Sequence, residues 1–310
     1  MTEPDERGTA LKPVGITAAL LALLTAVLWG GNPVAVRFSV DQLPPIAVAA
    51  IRFSLAACFM WIWCRFESTS LKLRPGEHRL CFIVGSLLFA QIALFHIGLS
   101  RSSSSHGTVL INTFVIWVAV IEHFNPATAR LSVRKMLGLS LAAAAGLLVI
   151  TSTSQAASQI DQPTTTGDII LLASAVLFAV KMVYTQYAVR TVPPARLIFW
   201  HDIVGVVLFV VTSAAFEHVS WQPLRTEVVL ALLYQGVLVA GLCFAIQATL
   251  LKKHPASQIA VFACMTPIFG IALSAVFRGD ALSGWLVIGG TCAAVGVYLV
   301  TASGRSRRQR

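Results

Sequence analysis

The chain has 310 residues, of which 56% are hydrophobic and only 12% charged, with a mean hydropathy of +0.78. Soluble domains carry about 25% charged residues, so a water-soluble globule is excluded. The formal charge of +10 does not point to nucleic acid, because the basic residues lie in short clusters between apolar runs instead of along one face.

Residues 1–15 read as a short tail carrying both charge signs, and the apolar run behind it is too long for the core of a signal peptide. It reads as an uncleaved first span. A bilayer core takes about 20 predominantly apolar residues as helix, since lipid offers the backbone no hydrogen-bond partner. Ten segments meet that condition: 17–38, 44–64, 80–100, 104–123, 135–152, 167–189, 195–216, 227–250, 256–277 and 281–302. The connections between the third and fourth and between the ninth and tenth are tight enough to be near-hairpins. The six cysteines all fall within apolar stretches, without CxxC or His/Cys ligand spacing, and read as small packing residues in a reduced compartment.

Lys and Arg collect in cytoplasmic loops. With the N-terminus inside, 17 of the 23 basic residues fall on the cytoplasmic side, among them Arg65 to Arg79, Arg130 to Lys135, Lys252, Lys253 and the Arg305 to Arg310 tail. The other side holds Arg37, Arg101, Arg225 and Arg278, while Arg52 and Lys181 lie inside spans. The bias alternates correctly through every loop and predicts a multi-pass plasma-membrane protein, of a bacterial inner membrane, with both termini cytoplasmic.

Sliding the chain against itself by about 150 residues produces collinear matches in all five spans of the half. Ala26-Val27-Leu28-Trp29 meets Ala175-Val176-Leu177-Phe178, and Pro44-Pro45 meets Pro193-Pro194. Gly85 meets Gly236, Thr113 meets Thr266, and Ala143 to Gly146 meets Ala293 to Gly296. The organisation expected is a first repeat at 16–152, a linker at 153–166, a second repeat at 167–302 and a basic tail at 303–310. Five is an odd number, so the second repeat enters the membrane inverted. The expected fold class is an all-α integral membrane protein of ten transmembrane helices in a 5+5 inverted-topology repeat, an architecture that secondary transporters use to expose one midplane site to alternate sides.

Several of these stretches resemble the EamA family of the drug/metabolite transporter superfamily. The carriers are Trp29 to Arg37, the Pro-led second span with Arg52-Phe53, Ser102 to Ser105, the run Ala256 to Leu273, and Gly279-Asp280. The resemblance covers roughly residues 16–302 and is specific through the order of its motifs on the five-plus-five pattern. It departs where Phe114 stands in place of a usual proline and Asp280 in place of a usual Glu. It implies a compact bundle whose central cavity is lined mainly by spans 1, 3, 4, 6, 8 and 9, with spans 5 and 10 as scaffold.

Ionisable groups inside a span cost a few kcal/mol and are functional candidates unless they pair or snorkel. Arg52 lies eight residues after Pro44, roughly 12 Å into the core at helical rise, and His201 holds the matching place after Pro193. Arg52 reads either as an anchor bonded to backbone carbonyls or as part of a site. Lys181 near the middle of the sixth span is the strongest functional candidate, expected to pair with Asp202 or to meet a substrate carboxylate. Asp202 reads as that partner, as a proton-coupling group, or as a snorkelling residue. His96 is either a proton relay or a hydrogen-bonded packing histidine.

The softer cavity candidates are Trp29, Asn32, Gln91, Asn112, Tyr184, Tyr234, Gln235 and Gln247. Pro33 and Pro267 are expected hinges, since proline removes an intrahelical bond. Gly138, Ala142 and Gly146, and Gly289 with Ala293, are spaced by four for close helix packing.

The expected function is secondary-active export of amino acids, metabolites or drug-like compounds by alternating access, with a nucleotide-sugar or lipid-linked carrier as the alternative. HExxH, GxGD and GxSxG motifs are absent from the sequence, which argues against an intramembrane enzyme. No cofactor and no metal are expected, although coupling to a proton or other ion gradient fits the buried ionisable groups. The partners expected are a small-molecule substrate and the bilayer; composition leaves monomer and homodimer equally open.

Overall fold

The computed structural model describes residues 15–123, 163–219, 222–254 and 265–280 continuously, with isolated positions at 262, within 137–144 and within 284–295. The tails, the linker before residue 163, most of the fifth and tenth spans and most of the start of the ninth lie outside the described residues, and Gly138, Ala142, Gly146 and Ala293 with them. Every regular element described is helical: α1 Ile16–Val40, α2 Pro45–Phe66, α3 Glu77–Leu99, α4 Ser104–Asn112, α5 Phe114–His123, α6 Thr165–Ala188 and α7 Pro194–Phe216. Then α8 Thr226–Leu233, a π-helical stretch Tyr234–Cys243 and α9 Phe244–Lys253 run on as one span, and α10 covers Thr266–Arg278. Among the described residues, six helices are long and apolar enough to cross a bilayer, with α10 a shorter apolar one.

Local chemistry sets the boundaries. Pro45 and Pro194 open α2 and α7, where proline's missing N–H removes no helical bond. Ser103 and Thr164 cap α4 and α6, accepting from the backbone N–H of His106 at 3.2 Å and of Gly167 at 3.1 Å. Gly279, left-handed at φ +66°, ends α10.

The fourth span breaks at Thr113 even though Phe114 occupies the site of a proline. The Asn112 amide donates to Thr108 O at 2.7 Å and the Thr113 hydroxyl to Leu110 O at 2.7 Å, so polar side chains take over carbonyls at the break. The two expected hinges turn out differently. α1 runs unbroken through Pro33. Pro267 sits in the first turn of α10, where it cannot kink a helix interior.

α3 packs on α6 and α7, α2 on α7 and on the π-helical stretch, α1 on α10 and on the eighth span, and α4 on α6 and α10. Exchanging α1 with α6, α2 with α7, α3 with the eighth span, and α4–α5 with α10 maps these principal contacts onto one another. Two glycines allow the closest approaches. A Cβ on Gly85 would lie 2.5 Å from Val204 Cβ and 3.1 Å from His201 O. One on Gly236 would lie 2.5 Å from Leu55 Cβ and 2.9 Å from Arg52 O.

Candidate functional site

Among the described residues, two adjoining cavities lie in the bundle. The central one, about 570 Å³ with its mouth, is lined by Trp29, Asn32, Pro33, Arg52, Gln91, Asn112 and Thr266, and by apolar side chains that include Phe95, Phe114, Phe178 and Phe244. The second, about 380 Å³, continues toward the end where α7 begins and α9 finishes, and is lined by Lys181, His201, Gln247, Thr185 and apolar neighbours. Phe178 and Phe244 belong to both walls and form the partition.

The partition is an aromatic cluster. Trp29 meets Phe178 and Phe244 edge-on with centroids 6.5 and 6.1 Å away, and Phe114 lies 4.4 Å from Phe178. Lys181 Nζ sits 4.9 Å from the centroids of both Phe178 and Phe244 and donates to Gln91 Oε1 at 3.1 Å. Gln91 is fixed in turn, since its Nε2 donates to Ser174 Oγ at 3.2 Å and its backbone carbonyl accepts from that hydroxyl at 2.8 Å.

Arg52 is 2% exposed, yet among the described residues its Nε and Nη1 have no hydrogen-bond partner. The carbonyl-anchor reading of Arg52 therefore fails for these two nitrogens. Unpartnered oxygens of Asn32 (Oδ1) and Thr266 (Oγ1) belong to residues on the same central wall.

Several expectations are corrected. Lys181 and Asp202 form no ion pair; among the described residues the charged contact of Asp202 is His201, whose Nδ1 lies 3.0 Å from Oδ1 and 2.8 Å from Ile198 O. Asp202 is fully buried, so it does not snorkel, and it lines neither cavity. His96 packs with Nδ1 on Ile92 O at 3.0 Å and also lines neither.

Tyr184, Tyr234 and Gln235 are absent from both walls because other contacts hold them. Tyr184 faces Tyr187. The Tyr234 hydroxyl donates to Leu28 O at 2.5 Å, one residue before the carbonyl that Pro33 leaves without its helical donor. Gln235 Nε2 donates to Ala35 O at 3.0 Å and Ser39 Oγ at 2.8 Å. Arg52 and His201 bring spans 2 and 7 into the walls, in addition to the six spans the resemblance implied.

Polar contacts gather at the end opposite the second cavity. Asp168 Oδ1 accepts from the Ser102 hydroxyl at 2.5 Å and Oδ2 lies 2.9 Å from His106 Nδ1. Asp280 accepts from the backbone N–H of Ser105 at 3.0 Å and from the hydroxyls of Ser104 and Ser105. Arg278 pairs with Asp41 at 2.7 Å. Glu217 accepts from the N–H groups of Ile46 and Ala47 at 2.8 and 2.9 Å. At the other end Arg196 pairs with Glu77 at 2.9 Å and donates to Ser70 O at 2.6 Å.

Residues 16–151 and 165–302 match the EamA-like transporter family. The chain belongs to that family. This EamA-like chain is 25% identical over 300 residues to a probable amino-acid metabolite efflux pump of Salmonella typhimurium, covering 93% of the chain and 96% of the relative. It is 23% identical over 285 residues to the transporter YoaV of Bacillus subtilis, covering 91% and 96%. A solved crystal structure shares its fold with a TM-score of 0.71 at 18% identity, over 94% of this EamA-like chain and 99% of the other.

Among the wall residues that sequence reasoning left out, Phe178 had a signal, since it aligns with Trp29 in the repeat. Phe244 had none. Ser104, Ser105 and Asp280 were legible as motifs but not as mutual partners, being 176 and 175 residues apart in sequence.

Proposed function

We propose that the protein is a secondary-active carrier that exports small organic solutes by alternating access, built as ten spans in two inverted halves. The observation that carries this reading is the central cavity, whose wall draws on both halves and keeps Arg52 Nε and Nη1 buried and unpartnered. The mirrored helix contacts, and the matched approaches of Gly85 to His201 O and Gly236 to Arg52 O, support an inverted repeat with that cavity near its pseudo-twofold axis.

The second cavity leads toward the end where the loops collect Lys and Arg, which is the cytoplasmic end by loop charge. The other end is closed by Asp168, Asp280, Arg278–Asp41 and Glu217. Loading is thus from the cytoplasm. The relative named an amino-acid metabolite efflux pump agrees with that direction. Release requires the outer contacts to open while the cytoplasmic pair Arg196–Glu77 holds. Buried Asp202 and His201 are the groups available for coupling to an ion gradient.

The test is counterflow in proteoliposomes. Saturable trans-acceleration of a labelled solute is the expected result, and flux that neither saturates nor responds to solute on the far side overturns the carrier reading.

A further inference from the structure

Resting on the carrier reading above, the chemistry of its walls selects a class of solute. Among the described residues no Asp or Glu lines either cavity, while each wall carries one cation, Arg52 in the central cavity and Lys181 in the second. A buried guanidinium with unpaired N–H groups is costly, and a carboxylate brought against it as a counter-charge relieves that cost. The remaining wall is largely aromatic, with Trp29, Phe114, Phe178 and Phe244 offering apolar faces and edges.

We infer that the central cavity takes an organic monocarboxylate with an apolar body, its carboxylate held first by Lys181 and then by Arg52 as it moves inward from the second cavity. Lys181 is poised for this transfer. Its ammonium already lies in the partition between the two spaces, held by one neutral amide and two ring faces, all of which an anion outcompetes. A free ammonium on the solute is disfavoured, because among the described wall residues it would face two cations and neutral acceptors such as Asn32 Oδ1, the buried Asp202 lining neither cavity.

Three probes share one body and differ in charge: 3-phenylpropanoate, L-phenylalanine and 2-phenylethylamine. Binding to the purified full-length protein is read from the shift of its thermal unfolding midpoint with ligand concentration. The expected order puts 3-phenylpropanoate about tenfold or more tighter than the zwitterion and the amine. Arg52→Gln is expected to erase that preference, and Lys181→Gln to slow 3-phenylpropanoate counterflow by about tenfold or more.

Equal or stronger binding of L-phenylalanine or 2-phenylethylamine, or no response to 3-phenylpropanoate, overturns the inference. If Arg52→Gln is not monodisperse, the order of the three probes on the native chain decides alone. Counterflow of any solute that ignores the anion would leave the carrier standing and remove this solute class. Anion binding without counterflow of any solute would do the reverse.

Discussion

Lys181 Nζ and Gln91 Oε1 meet at 3.1 Å across the contact between α6 and α3, with the ammonium also between the rings of Phe178 and Phe244. Gln91 lines the central cavity and Lys181 the second, so this one hydrogen bond joins the two spaces. Lys181→Met keeps the length of the chain and removes a buried charge, a change that is neutral to mildly favourable for folding. Membrane abundance is expected within about twofold of the native protein while counterflow falls by about tenfold or more. Full activity in that assay would remove Lys181 from the mechanism.

Gly236→Ala places a methyl group 2.5 Å from Leu55 Cβ and 2.9 Å from Arg52 O, neither of which can swing aside as a side-chain tip would. The expected cost is about 1–3 kcal/mol, the scale of overpacking in a close-packed interface, read as a lower unfolding midpoint in detergent. Gly85→Ala, beside Val204 Cβ and His201 O, is expected to cost a similar amount. An unchanged midpoint for either would show that the helices separate there at no cost.

Asp280 joins the turn after α10 to the start of α4 through Ser104 and Ser105. In a background without native cysteines, Asn112→Cys is expected to react with a membrane-impermeant thiol reagent applied from the cytoplasmic side and to be protected from the outside. Adding Asp280→Ala should raise outside labelling several-fold by weakening closure at that end. Equal labelling from both sides before Asp280 is changed would contradict a closed outer end.

Glu77 and Arg196 are both buried, and their pair at 2.9 Å ties α3 to α7 at the end where the loops collect Lys and Arg. Removing one partner leaves a buried charge uncompensated, so Glu77→Gln is expected to lower stability by about 3–5 kcal/mol. Glu77→Gln combined with Arg196→Met should recover much of that loss. A single variant as stable as the native protein would show that the pair is solvated.

Tags on the two chain ends are expected to be accessible from the same, cytoplasmic side, as the ten spans proposed above require. Ends on opposite sides would break the inverted repeat and the direction of transport read from it.

Much of the molecule was legible because lipid makes a simple demand: about 20 apolar residues per helix, whose backbone satisfies itself. The described spans, the Pro-led starts of α2 and α7, and the wall residues Trp29, Asn32, Arg52, Gln91 and Asn112 all follow from runs, breakers and polar positions readable along the chain. Helix interruptions were harder to read. Pro33 leaves α1 continuous, while the span without proline at residue 114 breaks at Thr113, because side-chain hydrogen bonds to nearby carbonyls decide the matter there.

By itself the sequence determined membrane residence, family, loop-charge bias and the depth at which polar groups sit, since each depends on local composition or on order along the chain. Only tertiary structure decided who meets whom: Lys181 with Gln91 in place of Asp202, Asp280 with Ser104 and Ser105, and Phe244 beside Phe178. The reason is rotational. Adjacent helical residues point roughly 100° apart, so a buried charge at a given depth has several possible neighbours, and the packing of helices distant in sequence selects one.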